Sequence, residues 1–221
     1  MSQAAHFYKI DNSNYKTGLA VQKRSISLLD GKNKAAGLLS CQEISLAPLH
    51  NHTFTCQEQV KLIMIPLFGG VEISTISQSF FVHIHQTLQF TLSIDEPLII
   101  ENVYPENQVR LILLCFRESR ICAPQTTNYL INKPNALINI YNSETKNQII
   151  ELAELHARQD ISQYIEKNNN IFIYVLTGAL ELQNRLLEKG EALSLYDPGN
   201  FEMEALSNNA MVLVVKSGEN E

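Results

Sequence analysis

Tryptophan is absent from this 221-residue chain, and with it the side chain best suited to stacking on sugars. No apolar run reaches the ~18 residues that a membrane span needs, so no transmembrane segment is expected. Lysine and arginine never gather. Lys23-Arg24 and the pair Lys32/Lys34 are the densest stretches, and the formal net charge is −6. Counterion release from a nucleic acid needs a basic patch, so nucleic-acid binding is not expected. Gly-x-Ser-x-Gly, the P-loop and Gly-x-Gly-x-x-Gly are all missing, which removes the usual nucleophile-elbow, phosphate-cradle and dinucleotide signatures. The opening Met-Ser-Gln-Ala-Ala-His has no basic stretch leading into an apolar one, so no secretory signal is expected. Cys41, Cys56, Cys115 and Cys122 are scattered, with no Cys-x-x-Cys. They are expected to be small buried apolar residues of a cytoplasmic protein with reduced thiols.

What the chain has in abundance is short strands. Residues 171–197 show the pattern most clearly. The apolar run Ile171–Leu176 meets Thr177-Gly178, and Ala179–Leu182 then reaches a polar turn at Gln183-Asn184-Arg185. Leu186-Leu187 leads to Lys189-Gly190, and Ala192-Leu193-Ser194-Leu195 closes the series. Strands this short, punctuated by glycine and polar turns, mark an all-β sandwich or barrel.

The same pattern fills residues 37–116. Leu38–Leu46, Val60–Leu67, Val71–Ile76, Phe80–His85, Leu88–Leu92, Pro97–Ile100 and Val109–Phe116 all read as strands. The last is apolar almost throughout, as a strand buried on both faces would be. Residues 1–35 are polar and broken, with Ile26–Leu29 as one short strand, and read as a lead-in that packs against a sheet. Residues 117–135 carry little periodicity. The expected organisation is an N-terminal domain with its lead-in over 1–120, a linker over 121–135 and a second domain over 136–221. In that second domain Ala136–Tyr141 and Gln148–Leu155 flank a turn at 142–147, a helical turn over 153–158 is the alternative, and Ala210–Val215 is the last strand.

The halves lie over one another. Ile65-Pro66-Leu67-Phe68-Gly69-Gly70-Val71-Glu72-Ile73 matches Tyr174-Val175-Leu176-Thr177-Gly178-Ala179-Leu180-Glu181-Leu182 in constant register, since 178 − 69 = 109 and 181 − 72 = 109. A repeat of this length is domain-sized, too long for a solenoid unit.

Strand, glycine, strand, polar turn, strand and Lys-Gly-Glu is the pattern of a cupin, a small jelly-roll β-barrel; here it is Tyr174–Gly178 followed by Leu187-Glu188-Lys189-Gly190-Glu191-Ala192. Two such units in tandem, with the less typical unit first, resemble a pirin-type bicupin over about residues 37–215, and the second half is similar to the quercetinase-like C-terminal cupin of that family. The resemblance implies an all-β fold of two tandem cupin domains. It also implies a metal site in the first cupin, built from a His-x-His pair, a Glu and a later His around a divalent iron, nickel, copper or manganese ion. Some pirins show quercetin 2,3-dioxygenase activity.

This chain departs from that pattern. Counted from Gly69, the carboxylate position falls near Lys61, the His-x-His near Thr55 and Gln57, and the later His near Ile99 or Ile100. His50 and His52 form a His-x-His about five residues early, with Glu58 as the available carboxylate, so the candidate metal ligands are His50, His52 and Glu58. A second pair, His83 and His85, reads as the solvent face of an alternating strand with Val82 and Ile84 inward. The C-terminal half is expected to hold no metal, because Asn170 replaces Lys61 there and His156 is its only histidine. Phe172 and Tyr174 are expected in a core, or lining a barrel interior.

Two functions follow. One is a non-catalytic small-ligand-binding or regulatory protein with a degenerate metal site and no cofactor, holding a small molecule in a barrel cavity or meeting a protein partner, as a monomer or weak dimer. The other, if the chain is an enzyme, is a metal-dependent dioxygenase of the quercetin 2,3-dioxygenase type.

Overall fold

A computed structural model of the chain describes residues 5–9, 15–17, 20–28, 37–117, 120–144 and 147–218. Of the segments singled out above, Leu29, Lys32, Lys34 and the turn residues Thr145 and Lys146 lie outside the described residues. Every regular element among the described residues is a strand. The first twelve are β1 (Ala5–Tyr8), β2 (Tyr15–Thr17), β3 (Val21–Ser27), β4 (Leu38–Leu46), β5 (Asn51–Phe54), β6 (Val60–Phe68), β7 (Val71–Ser74), β8 (Ser79–Val82), β9 (Gln86–Leu92), β10 (Leu98–Glu101), β11 (Val109–Arg117) and β12 (Gln125–Asn128). The rest are β13 (Ile138–Asn142), β14 (Gln148–Leu155), β15 (Asp160–Tyr164), β16 (Asn169–Thr177), β17 (Ala179–Leu182), β18 (Arg185–Glu188), β19 (Ala192–Tyr196), β20 (Asn200–Ala205) and β21 (Ala210–Gly218).

Contacts divide these strands into two units, one holding β2–β12 and the other holding β1 with β13–β21. The N-terminal unit pairs a seven-stranded sheet, β12-β9-β6-β11-β4-β3-β2, with a four-stranded sheet, β5-β10-β7-β8. The C-terminal unit pairs a six-stranded sheet, β1-β19-β16-β21-β14-β13, with a four-stranded sheet, β15-β20-β17-β18. Adding ten to each strand number from β3 to β11 converts one topology into the other. The repeat is exact in register at its centre, since β6 and β16 differ by 109 at both ends (169 − 60 and 177 − 68). The flanking positions beside β9 and β19 are filled from different parts of the chain, by β12 and by β1.

Alternation places each core. Ile44, Leu62, Met64, Leu88, Phe90, Leu111, Leu113 and Cys115 face inward in the N-terminal unit, with Phe54, Ile73, Leu98 and Ile100 closing from the smaller sheet. Ile112, Leu114 and Phe116 point the other way and are also wholly buried, so β11 is shielded on both faces as its sequence implies. In the C-terminal unit Ile171, Ile173 and Val175 face inward, whereas Phe172 and Tyr174, buried too, lie on the opposite face of their sheet rather than in the barrel interior.

Several segments differ from the sequence reading. β5 is a strand in a polar stretch for which no strand is expected, because pairing to β10 satisfies its backbone while alternate residues stay exposed. β12 arises inside 121–135 as a fully exposed flanking strand on β9, so no apolar alternation betrays it. Residues 153–158 form no helix: β14 runs to Leu155, and a turn with Arg158 at φ 63° follows. β8 ends at Val82, leaving Ile84 exposed in the β8–β9 turn instead of inward.

Candidate functional site

β4 leaves the large sheet of the N-terminal unit at Leu46 and turns through Ala47–His50 into β5, with Leu49 at φ 57°. Asn102 fixes this turn. Fully buried, it donates from Nδ2 to the carbonyls of Leu46 (3.1 Å), Ala47 (2.9 Å) and Asn107 (2.7 Å) and accepts from Tyr104 N at 3.0 Å. Its own N–H donates to His50 O at 2.9 Å.

The turn sets the two histidines. His50 is exposed, and its Nδ1 lies 2.7 Å from Pro48 O. A carbonyl can only accept, so Nδ1 is the donor and Nε2 is the ring nitrogen left facing away from this bond. His52 shares the inward face of β5 with Phe54, directly across from Ile100. Its Nε2 is buried and has no hydrogen-bond partner in the protein. Burial, and secondarily the charge of Lys23, holds His52 below the usual histidine range, so the ring is neutral.

The third expected ligand lies elsewhere. Glu58 is exposed, with its carboxylate 3.6 Å from Arg117 Nη2. Lys61 does not enter the barrel interior: Val60, Leu62 and Met64 face the core, and Lys61 alternates to the other side, 5.6 Å above the Phe116 ring. Ile100 is wholly buried and Ile99 is exposed, so the later-histidine position is aliphatic on either face. His83 and His85 diverge. His83 packs against Phe81 at 4.7 Å, while His85, at φ 63°, packs against Tyr129 at 5.7 Å. Among the described residues, no three His, Cys, Asp or Glu side chains gather as a metal-holding group. The donor set at this turn is thus two imidazoles, short of the three imidazoles and carboxylate that the family pattern requires.

Residues 146–215 match the family of quercetinase C-terminal cupin domains. No curated protein matches the sequence. Among solved structures, YhhW from Escherichia coli aligns with a TM-score of 0.76 at 9% identity, over 99% of this chain and 100% of that one. The bacterial pirin YhhW from Escherichia coli in complex with nickel(II) aligns with the same score and identity, over 98% of this chain and 100% of that one. Quercetin 2,3-dioxygenase from Acinetobacter baumannii aligns with a TM-score of 0.76 at 12% identity, over 96% of this chain and 85% of that one.

The chain folds as a pirin-like bicupin. The family match falls on β14–β21, the half whose strand and glycine pattern is better kept. Two buried residues, Gln42 and Asn102, and the half-buried Lys23 carry no motif signal in the sequence pattern. Gln42 is buried on the inward face of β4, and its Oε1 has no hydrogen-bond partner in the protein. Only its even spacing with Ile44 and Leu46 in Leu38–Leu46 could have marked it. Lys23 lies opposite Ile44 and therefore on the same face. Among the described residues no helix is long and apolar enough to cross a membrane.

Proposed function

We propose that this pirin-like bicupin is a non-catalytic protein that binds a small molecule in its N-terminal barrel, with a degenerate metal site and a binding or regulatory role. The observation that carries this reading is Ile100. It stands directly across the strand pair from His52, wholly buried, where a metal-bearing cupin needs a further donor. The Glu58 carboxylate, turned to Arg117 at the surface, supports the same reading. All four cysteines are free, which fits a reducing cytoplasm, and we take the protein to be a monomer or weak dimer there. The test is elemental analysis of protein purified without chelators, followed by titration with nickel(II). Well under one metal per chain is expected. One tightly held ion per chain, lost on replacing His50 and His52 with Ala, overturns the reading.

A second reading, a metal-dependent dioxygenase of the quercetin 2,3-dioxygenase type, draws on one observation. The Nδ1–H of His50 is committed to a backbone carbonyl, the arrangement that prepares the other ring nitrogen to ligate a metal. In that reading His50, His52 and a moved Glu58 hold the ion. Oxygen consumption with quercetin by metal-loaded protein supports it, and its absence eliminates it.

A further inference from the structure

The two barrels treat one interior position differently. In the C-terminal unit Ile173 pairs with Val214, and Val214 with Glu151; in the N-terminal unit Met64 pairs with Leu113, and Leu113 with Gln42. Since 173 − 64 = 109, Glu151 and Gln42 are the same position in two copies. The pairs Ile171–Lys216 and Leu62–Cys115 likewise equate Lys216 with Cys115. Gln163, opposite Phe201, corresponds to Phe54, opposite Leu98, because Leu182 pairs with Met203 as Ile73 pairs with Ile100.

In the C-terminal barrel Lys216 links the other two. Lys216 Nζ lies 2.5 Å from Glu151 Oε2 and donates to Gln163 Oε1 at 2.6 Å. In the N-terminal barrel the two partners are replaced by Cys115 and Phe54, and Gln42 Oε1 is left buried and unpartnered. His52 Nε2 is buried and unpartnered as well. Folded proteins rarely leave such atoms unpaired, because each forfeits its bonds to water and gains nothing in return. Lys23 shares the inward face of β3 with Ser25, which pairs with Gln42, and its charge is felt at the His52 ring. Half-buried Lys23 and two orphaned polar atoms therefore lie on inward-facing sides of β3, β4 and β5, beside Ile44, Phe54 and Leu113.

We propose that the N-terminal barrel binds a small hydroxylated organic anion between β3, β4 and β5, its acidic group held by Lys23 and its hydroxyl by Gln42 and His52. Each group sets part of the ligand. An ammonium is donor-only and takes an anion, whereas an amide oxygen is acceptor-only and takes an O–H. The aliphatic and phenyl walls take an apolar body. The inference rests on the ligand-binding reading above and gives that ligand its chemical class.

The test is calorimetric titration of the full-length protein with 2-hydroxybenzoate, with benzoate and phenol as probes lacking one group each. We expect 2-hydroxybenzoate to bind at least about tenfold more tightly than either. Gln42→Leu and Lys23→Met should each weaken it by about tenfold. Gln42→Leu removes an unpaired acceptor at nearly constant volume, so its melting temperature should hold or rise, showing that the loss is not misfolding. Three results overturn the proposal: no binding of 2-hydroxybenzoate at millimolar concentration, binding no tighter than benzoate or phenol, or binding unchanged in both variants. Metal content is measured on the same preparation. Failure of binding in metal-free protein removes this inference and leaves the non-catalytic reading standing; one nickel per chain held by His50 and His52 removes both.

Discussion

Replacing Gly178 with Ala tests the repeat at its most exacting point. Gly178 adopts φ +76° between β16 and β17. An L-residue in that left-handed region costs about 1–2 kcal/mol. An added Cβ would fall 2.2 Å from Ser207 Oγ and 3.0 Å from Ala210 Cα. The serine oxygen accepts the Ala179 N–H at 2.9 Å, so displacing it gives up a bond worth about 1 kcal/mol. The Ala210 contact is to backbone at the start of β21 and cannot be relieved by rotating a side chain. The total is about 2–4 kcal/mol, which for a chain of this size lowers the melting temperature by about 5–15 °C. The matching change Gly69→Ala meets φ +70° but a softer neighbour, Val109 Cγ1 at 2.8 Å, which can turn aside. It should cost about 1–3 kcal/mol, less than its counterpart. Urea and thermal unfolding followed by circular dichroism measure both. A cost below about 1 kcal/mol for Gly178→Ala, or a larger cost for Gly69→Ala, refutes the argument from fixed backbone at Ala210.

Glu43 is nearly buried between Arg24 at 3.3 Å and Arg110 at 3.0 Å, so Glu43→Gln leaves two guanidinium groups without their anion and should cost about 3 kcal/mol in urea unfolding. Asn102→Ala orphans the carbonyls that it ties together, and should cost about 2–4 kcal/mol and speed proteolysis at the 47–50 turn. Burial pushes the Cys115 thiol up to about 12 and raises Cys41 further, so a thiol reagent at neutral pH should label Cys122 rapidly in the native protein and leave those two protected. Burial likewise raises Tyr129 and Tyr196 to about 12. The unfolded chain therefore releases protons that the folded one keeps, and stability should be full below about pH 9 and fall as pH climbs toward about 12.

The all-β class and the duplication were legible because both rest on period-two apolar patterning and on glycines at positive φ, features that one strand pair imposes on its own residues. Three other strands have a different trait. β12 is exposed along its whole length, and β5 and β15 bury only alternate positions among polar residues, so tertiary pairing rather than composition makes them strands. The site was legible only in part. His50 and His52 were found from spacing, but a residue count from Gly69 could not say that Lys61 alternates away from the core. Gln42 looked like an ordinary polar residue in a strand. Its significance depends on what stands across β11 and β5, and no local pattern carries that information.

The pairing of β1 with β19 has a consequence for how the protein is made. Ala5 lies opposite Leu195, so the partners are 190 residues apart in the chain (195 − 5). At about 5–20 residues per second, the ribosome delivers β19 some ~10–40 s after β1 has emerged. For that interval Phe7, which ends up against the C-terminal core, has no native place to go. The β2–β12 unit takes no strand from β1 or from the chain after β12. The C-terminal barrel closes on β19 only with a strand made 190 residues earlier (195 − 5). A bulky fusion on the amino terminus would act on that step, and would slow the maturation of the barrel farthest from it in sequence.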